Sequence, residues 1–300
     1  TLLNMVPTNP LGAAANAELL PLIIFTVIFG AALSMIAEER RRVVITFFEG
    51  VNDTVMIMIE WIMKLAPYAV FALIASVVSQ FGMDLLRSLL IYALTVVTAL
   101  LLHAFGVYGA LVRLLGRLSP VEFFKRIAGV PLVAFSTSSS NATLPVTMET
   151  AEEKLGVSKE VSSFVLPLGA TINMDGTALY QAVAVMFIAQ IYGVPLGIAE
   201  QLTIVLTATL ASIGTAGVPS AGIIMLILVL NSVGMGAQAA TGIALILGVD
   251  RILDMLRTSV NITGDLAVAS VVARTEGEEL VPRPKDHPIT IAPADTVEEV

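Results

Sequence analysis

The sequence contains no cysteine, so disulfides, zinc–thiolate centres and cysteine nucleophiles are all excluded. It has only two histidines: His103 lies in an apolar run and His287 near the C-terminus, which argues against a histidine-built metal site or triad. Trp61 is the single tryptophan. Charge is also scarce. Only 13% of residues are Asp, Glu, Lys or Arg, about half the share of an ordinary soluble domain. Apolar residues make up 56% of the chain and the mean hydropathy is +0.89, which places it in the integral-membrane class. The formal charge of −8 gathers partly after Thr275, and no basic stripe points to nucleic acid.

Read in order, Leu19 to Ala37 is long enough to span a bilayer. It stops at Glu38-Glu-Arg-Arg-Arg42, a basic cluster of the cytoplasmic kind. Val43 to Gln80 is a second helical stretch, with Asp53, Glu60 and Lys64 read as interfacial or packing positions and a kink expected at Pro67. Phe81-Gly-Met-Asp84 reads as an outside loop. Leu85 to Leu115 is a third span, flanked by Arg113, Arg117, Lys125 and Arg126. Glu276 to Val300 loses apolar periodicity, carries Pro282, Pro284, Pro288 and Pro293, and reads as a disordered cytoplasmic tail.

Between Pro120 and Val233 the pattern of simple spans fails. Short helical pieces flank Ser136-Thr-Ser-Ser-Ser-Asn-Ala-Thr-Leu-Pro145. An apolar stretch from Ser158 to Tyr192 is interrupted by Asn173-Met-Asp-Gly-Thr177. Two more short pieces flank Ala211-Ser-Ile-Gly-Thr-Ala-Gly-Val-Pro-Ser-Ala-Gly222. Unsatisfied backbone groups cost several kcal/mol each in hydrocarbon, so breaks at membrane depth persist only where protein or ligand satisfies them. A further helix follows, and on it Asp250, Asp254, Arg257, Asn261 and Asp265 recur at spacings of four, three, four and four. At about 100° per residue they share roughly 80° of arc. Ionised groups at membrane depth mark a binding site. Interrupted helices beside such a stripe fit the midplane site of a secondary transporter, with helix N-termini suited to anionic groups and freed carbonyls suited to a hard cation. Simple helix packing through small residues is the rival reading for the glycine-rich break.

The serine-rich hairpin Ser138-Ser-Ser-Asn-Ala-Thr-Leu-Pro145, the break Asn173-Met-Asp-Gly-Thr177, the second hairpin Gly214-Thr-Ala-Gly-Val-Pro219 and the final stripe occur in one order. Together they resemble the sodium-coupled glutamate/aspartate transporters, a family of dicarboxylate/amino-acid:cation symporters, from about Val6 to Thr275. The resemblance implies an all-α, multi-pass protein of the cell membrane. Its fold would have interrupted helices and two re-entrant helical hairpins, near 120–150 and 196–233, and would assemble as a homotrimer. The chain starts at Thr1 and looks like the part from the fourth helix onward, so three preceding helices are expected to be missing from it. Residues 1–80 would belong to a trimerisation scaffold, 81–275 to a transport domain moving as an elevator, and 276–300 to the tail.

By the same resemblance, Arg257 takes the side-chain carboxylate of L-aspartate or L-glutamate and Asp254 the α-amino group. A guanidinium fork suits a carboxylate better than an ammonium does. Asn261, Ser139, Ser140 and the backbone at Gly217 and Val218 would hold the α-carboxylate, with Thr177 and Thr258 close by. One sodium would use Asp265 with the carbonyls of Gly169, Asn173 and Asn261. A second would use carbonyls of Thr171, Ser212, Ile213 and Thr215, and a third Asp175 with the Asn173 side chain. Gln181 stands where animal members carry a glutamate tied to proton and potassium coupling, so sodium symport without either is expected. Ser138 and Met255 stand where some relatives carry a second arginine; Arg251, one turn before Met255, has no assigned role, and Asp250 no assigned partner. Proton- or sodium-coupled C4-dicarboxylate carriage and an anion channel are the rival functions. An intramembrane enzyme is disfavoured by the lack of cysteine, of histidine near the acids and of a G-x-S-x-G motif.

Overall fold

A computed structural model describes residues 9–15, 19–65, 67–69, 71, 72, 75, 79, 82–215 and 217–282. The expectations for residues 1–8, for most of 66–81 and for the tail beyond 282 lie outside the described residues. Among the described residues there is no strand. The elements are α1 (Pro10–Ala15), α2 (Leu19–Ser34), α3 (Glu38–Met63), α4 (Met83–Leu101) and, after a π-helical segment Leu102–Tyr108, α5 (Gly109–Leu114). There follow α6 (Pro120–Ile127), α7 (Gly129–Thr137), α8 (Ser140–Thr150) with a π-helical end Ala151–Leu155, α9 (Lys159–Ile172) and α10 (Asp175–Ile191). The last three are α11 (Ile198–Ile213), α12 (Ala221–Ser232) and α13 (Gly236–Thr275).

The basic cluster after the first span is helical: α3 begins at Glu38, with Glu38 and Glu39 in its first turn, where the helix dipole favours acidic side chains. The span expected over 85–115 is present as a stretch from Leu85 to Leu114 that contains an 18-residue window of mean hydropathy 2.2, and a second apolar stretch runs from Lys159 to Ile191. The outward sides of α2 and α3 expose Val27, Ile28, Phe47, Phe48 and Trp61, surfaces that suit hydrocarbon rather than water. Phe29 of α2 meets Phe48 of α3 edge-on at 6.2 Å.

All three sequence breaks are structural breaks. Between α7 and α8 the chain turns at Ser138, whose φ of 51° is left-handed. Between α9 and α10 it leaves helical geometry at Asn173 and Met174. Between α11 and α12 it reverses, turning left-handed at Ser220 with φ 61°. Positive φ costs energy outside glycine and concentrates at functional turns. α7 packs on α8, and α11 on α12. α13 is the axis of this body. It is unbroken over 40 residues, about 60 Å at 1.5 Å per residue, and it packs against α4, α7, α9, α10 and α12. Gly242 permits one of these contacts, since a Cβ there would sit 2.6 Å from Ile188 of α10. The polar stripe faces inward: Asp250, Asp254, Arg257, Asn261 and Asp265 are all buried.

Candidate functional site

The three breaks end where three helices begin, and those N-termini converge on the middle of α13. At α8, the Ser139 hydroxyl caps the helix by accepting from the Ala142 N–H. At α10, the Gly176 N–H donates to Asn261 Oδ1 at 2.8 Å. Ahead of α12, the Ser220 N–H donates to Asp254 Oδ2 at 2.9 Å. Helix N-termini carry partial positive charge. The breaks therefore supply donors and field, while α13 supplies acceptors and a guanidinium.

Arg257 is the largest fully buried side chain among the described residues. Its Nη1 donates to Asp250 Oδ1 at 2.8 Å, which gives Asp250 the partner that the sequence left open. Its Nη2 lies 2.7 Å from Asp254 Oδ1 but makes no directed hydrogen bond among the described residues: the contact is Coulombic and leaves N–H capacity for another acceptor. Its Cζ stands 4.1 Å from the centroid of the Tyr180 ring, a cation–π arrangement. Gly222 lets α12 close over this group, since a Cβ there would lie 2.8 Å from Thr177 Cγ2 and 3.5 Å from Arg257 Cζ.

A cavity of about 10 Å³ is lined by Ser140, Thr177, Gly217, Val218, Asp254, Arg257, Thr258 and Asn261, together with Ser138, Met174, Thr215 and Gly222. That is room for about one water molecule. Eight of the nine expected substrate contacts therefore meet at one point. The ninth, Ser139, faces elsewhere: its hydroxyl donates to the Gly217 carbonyl at 2.7 Å. The Asn141 N–H donates to the same carbonyl. These bonds hold the two tips together over the cavity. Met174 and Gly222 were not foreseen; an apolar side chain and a glycine carry no chemical signature in sequence.

A second, larger opening lies between α9, α10, α11 and α13. It measures about 410 Å³ and is lined in part by Gly169, Asn173, Asp175, Ser212, Ile213 and Asp265. Asn173 Nδ2 donates to Asp265 Oδ1 at 2.9 Å and to the Asn261 carbonyl at 3.1 Å. Asp265 Oδ2 is buried with no hydrogen-bond partner among the described residues. Gly169 comes so close that a Cβ would sit 2.6 Å from Asp265 Oδ1. The first expected sodium set, Gly169, Asn173, Asn261 and Asp265, is thus gathered, and its unpartnered carboxylate oxygen fits a hard cation. The second set is divided. Ser212 and Ile213 line this opening, Thr215 lines the smaller cavity, and Thr171 lines neither.

Asp175 has different company from that expected. Asn173 turns its side chain toward Asp265, while Asp175 Oδ2 accepts from Tyr108 and lies 2.7 Å from His103 Nε2. Asp175 Oδ1 accepts from the Gly176 N–H. The histidine dismissed for its apolar surroundings therefore belongs to the polar centre. His103 and Tyr108 are five residues apart within the π-helical segment. A π-helix hydrogen-bonds at a spacing of five, which brings such residues to one face. Periodicity at 3.6 does not reveal this. Gln181 is fully buried, and its Nε2 donates to the Gly222 carbonyl at 3.0 Å.

Residues 1–275 match the family model described as the sodium:dicarboxylate symporter family. The chain is 42% identical over 277 residues to a proton/sodium-glutamate symport protein of Bacillus subtilis, covering 92% of this chain and 63% of that protein. It is 40% identical over 276 residues to a proton/glutamate-aspartate symporter of Escherichia coli, covering 92% of this chain and 62% of the relative. To mouse excitatory amino acid transporter 3 it is 42% identical over 264 residues, covering 88% of the chain and 50% of the relative. The chain thus spans about half to two thirds of the length of these curated relatives. With the motifs in order, the broken helices in place and the match running through α13, the chain belongs to the sodium:dicarboxylate symporter family.

Proposed function

We propose that the protein is a multi-pass membrane symporter that carries acidic amino acids, L-aspartate or L-glutamate, together with sodium. The observation that carries this reading is Arg257, a buried guanidinium whose Nη2 is ion-paired to Asp254 without a directed hydrogen bond, at a cavity beneath two helix-hairpin tips. A bidentate fork in a dry site selects a planar carboxylate. Asp254, beside it, suits the α-ammonium, and its presence favours an amino acid over a plain dicarboxylate. Ser139, Ser140, Asn261 and the Gly217–Val218 backbone would receive the α-carboxylate, with Thr177 and Thr258 alongside. The names of the relatives, which mention glutamate, aspartate, protons and sodium, agree with this chemistry.

Sodium is cargo in this scheme. Asp265, with the Gly169, Asn173 and Asn261 carbonyls, would form one site, and Asp175 would serve a further one. Thr171, Ser212, Ile213 and Thr215 would form a third, assembled only when the second hairpin changes position. We read α7–α8 and α11–α12 as re-entrant hairpins of a transport domain over 81–275, and 1–80 as part of a scaffold. In this reading the domain shuttles as an elevator within a trimer in the cell membrane.

Uptake by proteoliposomes tests the proposal. Aspartate accumulation driven by an imposed inward sodium gradient, saturable and indifferent to a proton gradient, is the expected result. Uptake that follows a proton gradient and ignores sodium refutes sodium coupling. Flux that never exceeds equilibrium identifies a channel instead.

A further inference from the structure

The buried polar centre of α13 is unbalanced when counted without its neighbour. Asp250 and Asp254 contribute two carboxylates against the single guanidinium of Arg257, and the side chains of all three are at most 5% exposed. An uncompensated charge in such a place is costly. The balancing cation is Arg251, one turn before the site's centre. Its Nη1 lies 3.7 Å from Asp254 Oδ2, and that nitrogen is buried with no hydrogen-bond partner among the described residues. Its side chain remains 29% exposed, so Arg251 approaches the pocket from its rim.

Both oxygens of Asp254 already face donors. Oδ1 faces Arg257 Nη2 at 2.7 Å. Oδ2 accepts from the Ser220 N–H at 2.9 Å and faces Arg251 at 3.7 Å. An incoming ammonium must displace one of these three. Arg257 is enclosed and paired, and the Ser220 N–H belongs to the turn that closes the site. Arg251 has the longest contact, no directed bond to lose, and water into which its head can withdraw.

We infer that Arg251 is a specificity-determining residue: a resident cation that occupies the amino-group subsite of Asp254 and yields to the ammonium of an incoming amino acid. The inference rests on Asp254 being that subsite. Its consequence is selective. A ligand with an ammonium must dislodge Arg251. A dicarboxylate without one leaves Arg251 in place and still benefits from its positive charge. Arg251 therefore narrows the gap between amino-acid and plain dicarboxylate ligands.

The test is binding of L-aspartate and of succinate, which lacks the amino group, to the purified chain in saturating sodium, measured calorimetrically for the parent, Arg251→Gln and Arg251→Lys. In Arg251→Gln the preference for aspartate over succinate should rise about two- to fivefold, as expected for losing a partly exposed ion pair. Arg251→Lys should remain near the parent, and serves as the folded control should the glutamine variant fail to fold; Arg251→Met then replaces it. An unchanged preference, or one shifted toward succinate, overturns the inference while leaving the transporter reading intact. A parent protein that binds neither acid overturns the transporter reading, and this inference with it.

Discussion

The two openings on either side of α10 solve opposite problems. The small cavity at Asp254 and Arg257 holds acids and bases drawn from one helix, so that with Arg251 at the rim its charges neutralise one another, and it closes to the size of a water. The cleft at Asp265 and Asp175 holds acids met by the Asn173 amide, Tyr108 and His103, and it stays open at about 410 Å³ with one carboxylate oxygen unpartnered. A self-balanced site must exchange internal ion pairs for a ligand that reproduces both signs, which a zwitterionic dicarboxylate does. An acid met only by single donors gains most from a bare cation. In the proposed symporter, the division of labour between amino acid and sodium would follow from which charges already have partners.

Arg257→Cys breaks this comparison most severely. It leaves Asp250 and Asp254 buried without their shared cation, and truncating one partner of such a pair costs about 2–5 kcal/mol. Aspartate binding should weaken by on the order of a thousandfold, while sodium still protects the protein against thermal unfolding; calorimetry with aspartate at saturating sodium checks the first and melting curves in sodium the second. Unchanged aspartate affinity removes Arg257 from the site.

Asp265→Asn tests the other opening and should give the next largest effect. The variant replaces the unpartnered oxygen and the charge together, so the sodium concentration for half-maximal aspartate binding should rise by about a hundredfold. At sodium high enough to saturate, aspartate affinity should return close to the parent value. A loss that high sodium does not restore would mean that the two openings are one site.

Tyr108→Phe sharpens the role of the π-helical segment. Removing a hydrogen bond to a charged group alters its energy by about 1.5–3 kcal/mol, part of which the carboxylate would recover from a cation. The half-saturating sodium concentration should fall about threefold. A rise would instead make Tyr108 a positioning group that sodium requires.

Gln181→Glu is the mildest change and bears on coupling. The Gln181 amide donates to the Gly222 carbonyl at the start of α12. A glutamic acid can reproduce that bond only when protonated; ionised, it turns an acceptor toward an acceptor. Relative to the parent, aspartate binding by this variant should therefore weaken as pH rises from 6 to 8 through the titration of the new carboxyl. Binding measured across that interval provides the check.

Much of this was visible in the one-dimensional pattern. The inward stripe followed from the spacings of Asp250, Asp254, Arg257, Asn261 and Asp265, because a continuous helix has a fixed angular period. The three breaks followed from polar interruptions, two of them rich in Ser, Thr, Gly and Pro, in otherwise apolar runs. The helix expected to start after Arg42 instead starts at Glu38, since a basic cluster with acids at its front is an adequate first turn. His103 was misjudged because its immediate neighbours are apolar and its partner lies 72 residues away. Asp250 lacked a partner in sequence because a seven-residue separation on one helix does not reveal which way an arginine will fold back.

The sequence by itself thus determined the membrane class, the helices, the broken segments and the inward polar face, all of which are set by local periodicity and by the cost of charge in hydrocarbon. Only the tertiary structure decided which charges pair. It placed Arg257 between Asp250 and Asp254, brought Arg251 to the rim, moved Asn173 to Asp265 and left Asp175 to His103 and Tyr108. The reason is physical: a side chain's conformation is settled by everything packed around it, and in a buried site the competition among nearby donors for a few acceptors is resolved only when all of them are in place.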